Sequence, residues 1–198
     1  VEEALALREA ATEPVVLGGE RGGVKIAGFD LGNSPEEYAA STVGGKIVIF
    51  TTTNGTKAMK HARFAAKCFV GAFVGFSALC RALQGETQID VLCAGTDGQV
   101  TREDVLFAGA VADDLGLIKD VKLELNDQAA IALDAWRVAK AEWQTPRMLL
   151  DRLRASQGGR NVIEIGQERD IEIASEIDRL DCLGKLDPAT GRIVAADA

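Results

Sequence analysis

Three stretches of this 198-residue chain place hydroxyl, amide and carboxyl side chains among glycines near apolar runs. One of them is KIVIFTTTNGTKAM, residues 46–59, in which a strand-like run leads into threonines, an Asn-Gly turn and a helix start. Backbone N–H groups that converge at such a turn bind anions, and Thr51, Thr52, Thr53 and Thr56 add hydroxyl donors. The alternative is a plain turn, in which Asn54 and Gly55 reverse the chain and the threonines serve the strand and one cap.

A second stretch, GGERGG, holds two charged side chains between glycine pairs. Arg21 can bind a phosphate or a sulfonate through two parallel N–H bonds, and Glu20 offers Mg²⁺ a hard oxygen ligand. The segment GFDLGNSP adds Asp30 and Asn33 immediately before a helix start. The alternatives are a solvated polar turn for GGERGG and helix capping by Asn33 and Ser34 for the segment that follows.

The third stretch, CAGTDGQVTREDV at residues 93–105, carries Asp97, Glu103 and Asp104 around a glycine-containing loop. Thr101 and Asp104 also match a capping box, which would give Asp104 a purely structural role. Open α/β sheets bind ligands at their strand-to-helix junctions. The coincidence of three such junctions therefore predicts a ligand site more strongly than any one of them alone.

Residue counts exclude several other chemistries. The single histidine, His61, excludes a histidine-based triad and a multi-histidine metal centre. The four cysteines form no CxxC pair, which argues against a zinc knuckle or a disulfide framework and favours a reducing cytoplasm. Cys93 is expected to be a small buried thiol that ends a strand, because a phosphocysteine mechanism needs an arginine shortly after it and the residue six positions on is Gln99.

Charge and hydropathy narrow the class of partner. With 22 basic and 30 acidic side chains, the formal charge of −8 disfavours a nucleic acid or an anionic membrane as partner but leaves room for a local anion site. No stretch approaches the roughly 20 apolar residues that a membrane span needs. The expected partner is a small anionic molecule, and self-association is left open.

Helical and strand-like segments alternate along the first 116 residues. The pattern predicts a helix over residues 1–11, a turn-rich loop over 18–33, a short helix from Ser34 and Pro35, and strands at PVVLGG, KIVIFTTT (buried), KCFVG and IDVLCAG. Helices are predicted at TKAMKHARFAA, SALCRALQG and TREDVLFAGAVADDLG. This alternation favours a helix-flanked, mostly parallel sheet.

The chain becomes helical after Gly116. The segments NDQAAIALDAWRVAKAEW, TPRMLLDRLRAS and IEIGQERDIEIASEID are predicted to be helices, with Thr145 and Pro146 as a helix start and with Trp136 and Trp143 on one packed stripe. LDCLGKL and GRIVA should form a closing hairpin. The predicted fold is α/β, a three-layer α/β/α arrangement with a mixed, mostly parallel sheet and a helical C-terminal region ending in a hairpin.

Three motifs together resemble the 2-phosphosulfolactate phosphatase family in their order, their spacing and their residues. They are GERGGVKIAGFDLGNSP, TTTNGTKAM and CAGTDGQVTREDVLFAGA. The resemblance extends to ASQGGRNVIEIGQERDIEIASEIDRLD and so covers nearly the whole chain. It implies a cytoplasmic, Mg²⁺-dependent phosphoric monoester hydrolase that converts 2-phosphosulfolactate to sulfolactate and phosphate, on the route to coenzyme M. A small anionic phosphorylated substrate is the implied partner.

The resemblance also implies roles for the residues of the three stretches. Glu20 and Asp30 are expected to be catalytic and to bind the metal or its waters, with Asp104 as a further catalytic candidate. The expected substrate-binding residues are Arg21, Asn33, Thr52, Thr53, Asn54, Gly55 and Thr56. The nucleophile, either metal-bound water or a carboxylate, is left open.

The chain departs from the family pattern in three places. Family members begin with an additional strand and a loop rich in Asp, Arg and Thr, so residues 1–198 are expected to form a single phosphatase-like domain that is N-terminally incomplete. Gly75 and Phe76 replace an asparagine and a small residue, and Gly158 replaces a histidine before Arg160. These departures support a second hypothesis, a catalytically silent homologue that binds an anionic metabolite or serves in an assembly.

Overall fold

The computed structural model describes residues 1–118, 122–142, 147–187 and 189–196. In this part of the chain, α-helices, short 3₁₀ turns and β-strands form an α/β fold, which confirms the predicted class. The helices are α1 (Glu2–Ala10), α2 (Ala40–Val43), α3 (Gly55–His61), α4 (Phe76–Leu83), α5 (Arg102–Leu115), α6 (Asp127–Ala141), α7 (Arg147–Arg154), α8 (Gln157–Glu164) and α9 (Glu168–Ser175). The strands are β1 (Val15–Arg21), β2 (Val24–Lys25), β3 (Ile47–Thr51), β4 (Cys68–Val70), β5 (Leu183–Asp187) and β6 (Arg192–Ala196).

The first sheet has the order β2-β1-β3 and carries two of the three polar stretches. β1 and β3 are parallel, with Val15 opposite Ile47 and Gly19 opposite Thr51, so both strands bring their polar ends to the same edge. β1 continues through Glu20 and turns back into β2 at Gly22 and Gly23, both at positive φ. The predicted loop over 18–33 is therefore wrong in its first half, because Gly18 and Gly19 pair with β3 while Glu20 and Arg21 pair with β2.

The second sheet, β4-β5-β6, is antiparallel throughout. Cys68 lies opposite Leu186 in the β4–β5 pair, and Leu183 lies opposite Ala196 in the β5–β6 pair. These pairs confirm the predicted strand at KCFVG and the closing hairpin. Within the described residues the two sheets are small, one mixed and one antiparallel, and they do not confirm a three-layer arrangement or a mostly parallel sheet.

Two strand predictions need correction. IDVLCAG forms no strand, and the nearest pairing is an isolated bridge between Thr96 and Gln99. Its β propensity finds no partner strand, and Leu92 is 55% exposed. β3 does form, but it lies at the edge of its sheet and Phe50 is 41% exposed, so the expected burial is wrong.

Among the described residues, the helical half of the molecule supplies the cluster with the most fully buried apolar side chains. Its buried members are Phe73, Leu106, Ala110, Trp136, Ala139, Leu149, Leu153 and Ile171. Gly109 allows α5 to approach α6 closely, because a Cβ there would collide with the carbonyl oxygen of Ala132. Asp113 accepts hydrogen bonds from Arg137 and Lys140 and ties the same two helices together. This packing fixes α5 against α6, and the half-buried Val162 of α8 packs against the same cluster.

Several local predictions concern helix starts. A 3₁₀ helix, Pro35–Tyr38, begins after Ser34 as expected. The Ser34 hydroxyl does not cap this helix but donates a hydrogen bond of 2.7 Å to Asp170 on α9. Thr145, Pro146 and Trp143 lie outside the described residues, so their predicted roles stay predictions. None of the described helices is long and apolar enough to span a membrane.

Candidate active site

Glu20 stands at the carboxyl end of β1 and binds the threonine turn that follows β3. Its Oε1 accepts a hydrogen bond of 2.6 Å from the backbone N–H of Thr53, and its Oε2 accepts one of 3.0 Å from the Thr53 hydroxyl. The same Oε2 accepts 2.8 Å from the backbone N–H of Gly23. The parallel register of β1 and β3 makes this contact, because it places Thr51 opposite Gly19. Two of the predicted site stretches therefore meet.

The ionisation of Glu20 follows from these contacts. Burial, which leaves the residue 7% exposed, would by itself raise the pKa of the carboxyl group. The hydrogen bonds from Thr53 and Gly23, together with the charge of Arg21, outweigh burial and lower the pKa of Glu20 below its ordinary value of 4.5. Glu20 is therefore a carboxylate at neutral pH, and it occupies the place where the sequence predicted a bound anion.

Arg21 closes the same turn from outside. Its guanidinium donates a hydrogen bond of 2.7 Å to the Glu20 carbonyl oxygen and one of 3.0 Å to the Thr51 hydroxyl oxygen. The backbone N–H of Gly22 lies 3.3 Å from the Thr53 hydroxyl oxygen. Arg21 is exposed, and a guanidinium has five N–H donors, so three of them stay available for a ligand.

The rest of the threonine turn makes local contacts and one long-range contact. Thr56 donates its hydroxyl to the carbonyl oxygen of Thr52 at 2.7 Å, and its N–H lies 3.3 Å from the Thr52 hydroxyl oxygen. The side-chain oxygen of Asn54 accepts from the backbone N–H of Asp97 at 3.3 Å. Gly55 begins α3. Asn54 therefore connects the threonine turn to the third polar stretch.

The third stretch is held at its base by Asp104. The Oδ2 of Asp104 accepts 2.7 Å from the backbone N–H of Gly95, across a turn in which Asp97 takes a positive φ of 52°. Thr101 is the N-cap residue of α5, but its side chain makes no capping hydrogen bond, so the capping box is wrong. Cys93 is exposed and lies outside any strand, which corrects the expected burial of its thiol.

Asp30 is not brought to Glu20. Its Oδ2 accepts a hydrogen bond of 2.8 Å from the backbone N–H of Leu17, and its Oδ1 accepts one of 3.2 Å from the Arg8 guanidinium on α1. The Leu17 hydrogen bond, helped by Arg8, lowers the pKa of Asp30 although slight burial opposes it. Leu17 precedes Glu20 by three residues, roughly 10 Å along a strand.

Asn33 is exposed, and its side chain makes no hydrogen bond within the described ranges. The catalytic and binding roles of all these residues stay predictions. What the structure adds is their grouping, with Glu20, Arg21, Thr51–Thr53, Asn54 and Asp104 in one connected set and Asp30 outside it.

A cleft that the sequence did not predict borders the same loop as Asp97. It measures about 570 Å³ and lies between residues 96–102 and residues 155–161, where α5 and α8 begin. Thr101 and Ser156 are both typical N-cap residues, so the two helix starts were visible in the sequence. Their proximity was not, because they are more than 50 residues apart and are brought together only by the packing of α5, α7 and α8.

Comparison with known proteins gives one consistent result. A family model described as 2-phosphosulpholactate phosphatase matches residues 1–188. A probable 2-phosphosulfolactate phosphatase of Carboxydothermus hydrogenoformans is 36% identical over 196 residues, 98% of this chain and 76% of the relative. The protein of the same name from Deinococcus radiodurans is 39% identical over 180 residues, 89% of this chain and 70% of the relative. That from Caldanaerobacter subterraneus subsp. tengcongensis is 34% identical over 188 residues, 94% and 75% respectively.

Proposed function

The chain belongs to the 2-phosphosulpholactate phosphatase family, and we propose that it hydrolyses 2-phosphosulfolactate to sulfolactate and phosphate. The match over residues 1–188 and the names of relatives from several organisms support a phosphoric monoester hydrolase. The connected set of polar groups supports the same activity, because the Arg21 guanidinium and the Asn54 NH₂ group keep unused donors for an anionic substrate.

The observation that carries the proposal is the joining of three loops by hydrogen bonds. Glu20 accepts a hydrogen bond from the N–H of Thr53, and Asn54 accepts one from the N–H of Asp97 in the loop before α5, here called the Asp97 loop. Asp104 accepts one from the N–H of Gly95, at the start of the same loop. Each link joins residues that are distant along the chain or on different elements. Residues fixed in this way lose little entropy when a substrate binds, which is what a site that orients a phosphoryl group needs.

The roles of the side chains follow from the donors that they leave free. Arg21 is exposed with unused N–H groups, so we assign it to the phosphoryl oxygens of the substrate. The Asn54 amide accepts from Asp97 through its oxygen and keeps its NH₂ group as a donor. Glu20 acts as a positioning residue, since its carboxylate already accepts three hydrogen bonds from Thr53 and Gly23.

Magnesium is a separate part of the proposal. The predicted ligands Glu20 and Asp30 do not fit it as they stand, because protein donors occupy both oxygens of each carboxylate. Among the described residues, no group of three or more His, Cys, Asp or Glu side chains could hold a metal ion. Asp104 accepts a hydrogen bond through only one of its oxygens. We therefore propose that Asp104 would contact a Mg²⁺ ion held largely by water and by the substrate phosphate, where the ion would neutralise phosphoryl charge.

Phosphate release from 2-phosphosulfolactate tests the function directly. We expect turnover in Mg²⁺, loss of turnover in EDTA and recovery when Mg²⁺ is restored. Asp104→Asn should raise the Mg²⁺ concentration needed for half-maximal activity, with Asp127→Asn on α6 as a matched control. Turnover that ignores EDTA would refute the metal requirement, and no release in Mg²⁺ would refute the hydrolase.

One observation favours a second candidate, the catalytically silent homologue that binds an anionic metabolite. The turn that was predicted to capture an anion is filled by the carboxylate of Glu20. Calorimetry with sulfolactate separates the two candidates, since binding without any phosphate release from 2-phosphosulfolactate would favour the silent homologue. A cytoplasmic location, a place on the route to coenzyme M and self-association stay predictions.

A further inference from the structure

The cleft between the starts of α5 and α8 has more hydrogen-bond donors than the protein uses. The first N–H groups of a helix have no acceptor inside the helix. Those of Arg102 and Glu103 on α5, and of Gln157 and Gly158 on α8, find no acceptor elsewhere among the residues that the structure describes. α5 has 14 residues and α8 has 8, and both helices begin at the same cleft. Their first N–H groups and the positive ends of their dipoles therefore face this cleft.

Thr101 gives an independent indication that the cleft takes a ligand. It lines the cleft, it is only 3% exposed, and its hydroxyl makes no hydrogen bond within the described chain. Ser156, the N-cap residue of α8, is different, because its hydroxyl donates to Leu153 and accepts from Gly159. A buried hydroxyl without a partner is destabilising unless something else binds it.

Charges at the cleft also favour an anion. Arg160 is held at its edge by hydrogen bonds from its guanidinium to the Ala155 carbonyl oxygen and the Gln157 side chain, and Arg102 is exposed beside it. Asp97 is the one acidic residue in the lining. The carboxylate of Glu103 lies outside the lining, but it is close to Gly158, so one internal anion already lies beside the start of α8. The lining therefore has a formal charge of +1 on a chain of −8.

We propose that this cleft binds a small oxyanion, a sulfonate or a phosphate, through the N–H groups of α5 and α8, the Thr101 hydroxyl and Arg160. Oxyanion binding needs no turnover and so goes beyond the proposed hydrolysis. Two sources share this chemistry. One is the sulfonate of the substrate, since the Asp97 loop connects the cleft to Asn54, and the other is free phosphate.

NMR titration with inorganic phosphate and, separately, with sulfolactate tests the site. The amide signals of Arg102, Glu103, Gln157 and Gly158 should shift and saturate with at least one of the two. Thr101→Val should weaken binding about tenfold, because it removes a hydrogen bond to a charged ligand. It should leave the free protein equally stable or more stable, since that hydroxyl bonds to nothing in the free protein. Thr101→Ser should bind as the parent does.

Further variants and a second readout identify the source of the oxyanion. Arg160→Gln should weaken binding about tenfold, whereas Arg63→Ala, an exposed arginine outside the cleft, should not. Saturation by sulfolactate, with a raised KM and an unchanged kcat for 2-phosphosulfolactate in Thr101→Val, assigns the cleft to the sulfonate of the substrate. Saturation by phosphate with unchanged KM assigns it to a free oxyanion.

The proposal is overturned if neither ligand shifts the four amides, or if Thr101→Val binds as tightly as the parent. A loss of stability in Thr101→Val would also overturn it, because the hydroxyl would then already have a partner in the free protein. These results are independent of phosphate release, so failure of the hydrolase and failure of the cleft can be told apart.

Discussion

The threonine turn after β3 and the cleft at the start of α5 and α8 begin from the same local chemistry and end differently. Both gather backbone N–H groups and threonine hydroxyls where a loop enters a helix. In the turn, the carboxylate of Glu20 accepts the donors of Thr53 and Gly23. In the cleft, no acidic side chain accepts from Thr101 or from the first N–H groups of the two helices in the described part.

The difference shows that a donor-rich loop becomes a ligand site only where the protein leaves it without an acceptor. An internal carboxylate makes the threonine turn rigid, and rigidity suits residues that orient a substrate. In the cleft, the buried Thr101 hydroxyl has no partner in the described part of the chain, and a bound oxyanion would relieve the cost of leaving it unpaired. The sequence motif is shared, and tertiary contacts decide which role it takes.

The largest expected effect is that of Glu20→Ala, which removes the acceptor from the turn. The half-buried donors of Thr53 and Gly23 would be left unpaired, at about 1 kcal/mol each. We expect phosphate release to fall by at least about a hundredfold, the scale seen when a charge-stabilising site is lost. Enzyme assays and urea denaturation measure both effects, and Glu20→Gln, which keeps one acceptor oxygen, should lose less. Near-parental turnover in Glu20→Ala would refute the positioning role.

Thr101→Asp introduces an internal carboxylate into the cleft, as Glu20 does in the threonine turn. The new carboxylate should accept the first N–H groups of α5, stabilising the protein by about 0.5–1 kcal/mol as an N-cap. It should also abolish oxyanion binding, since an internal anion would occupy the donors. Thermal denaturation and phosphate titration check the two results. Tighter phosphate binding in this variant would contradict the comparison.

Acid should weaken the turn before it weakens the cleft. The pKa of Glu20 is lowered in the folded protein, so its carboxylate contributes stability above the ordinary value of 4.5. That contribution is lost as the pH falls through the lowered folded value. Urea denaturation at a series of pH values should show a steeper acid loss for the parent than for Glu20→Gln. Parallel curves would mean that Glu20 does not carry this pH dependence.

Asp30→Ala should have the smallest effect on turnover. It should still destabilise the protein by about 1–3 kcal/mol, because it leaves the N–H of Leu17, a residue with 0% exposure, without its acceptor. Because Asp30 is not in the connected set, turnover should stay within a few-fold of the parent. A loss of activity as large as that of Glu20→Ala, without unfolding, would return Asp30 to the site as the sequence predicted.

The sequence predicted those features that depend on neighbouring residues. It placed the helix over 1–11, the strand after it, the turn at Asn54 and the closing hairpin, because caps, glycines and β-branched runs act locally. It did not predict the bond from Ser34 to Asp170, 136 residues away, or the meeting of Thr101 with Ser156. It failed at IDVLCAG, where a strand-like composition found no neighbouring strand.

Amide hydrogen exchange tests the central contrast most directly, because it reports each N–H in one sample. In the free protein, we expect the Thr53 N–H to be protected by Glu20, and those of Arg102, Gln157 and Gly158 to exchange rapidly. Saturating sulfolactate or phosphate should slow exchange at the three cleft amides and leave Thr53 unchanged. Rapid exchange at Thr53 in the free protein, or cleft amides that stay fast with both ligands, would contradict the account.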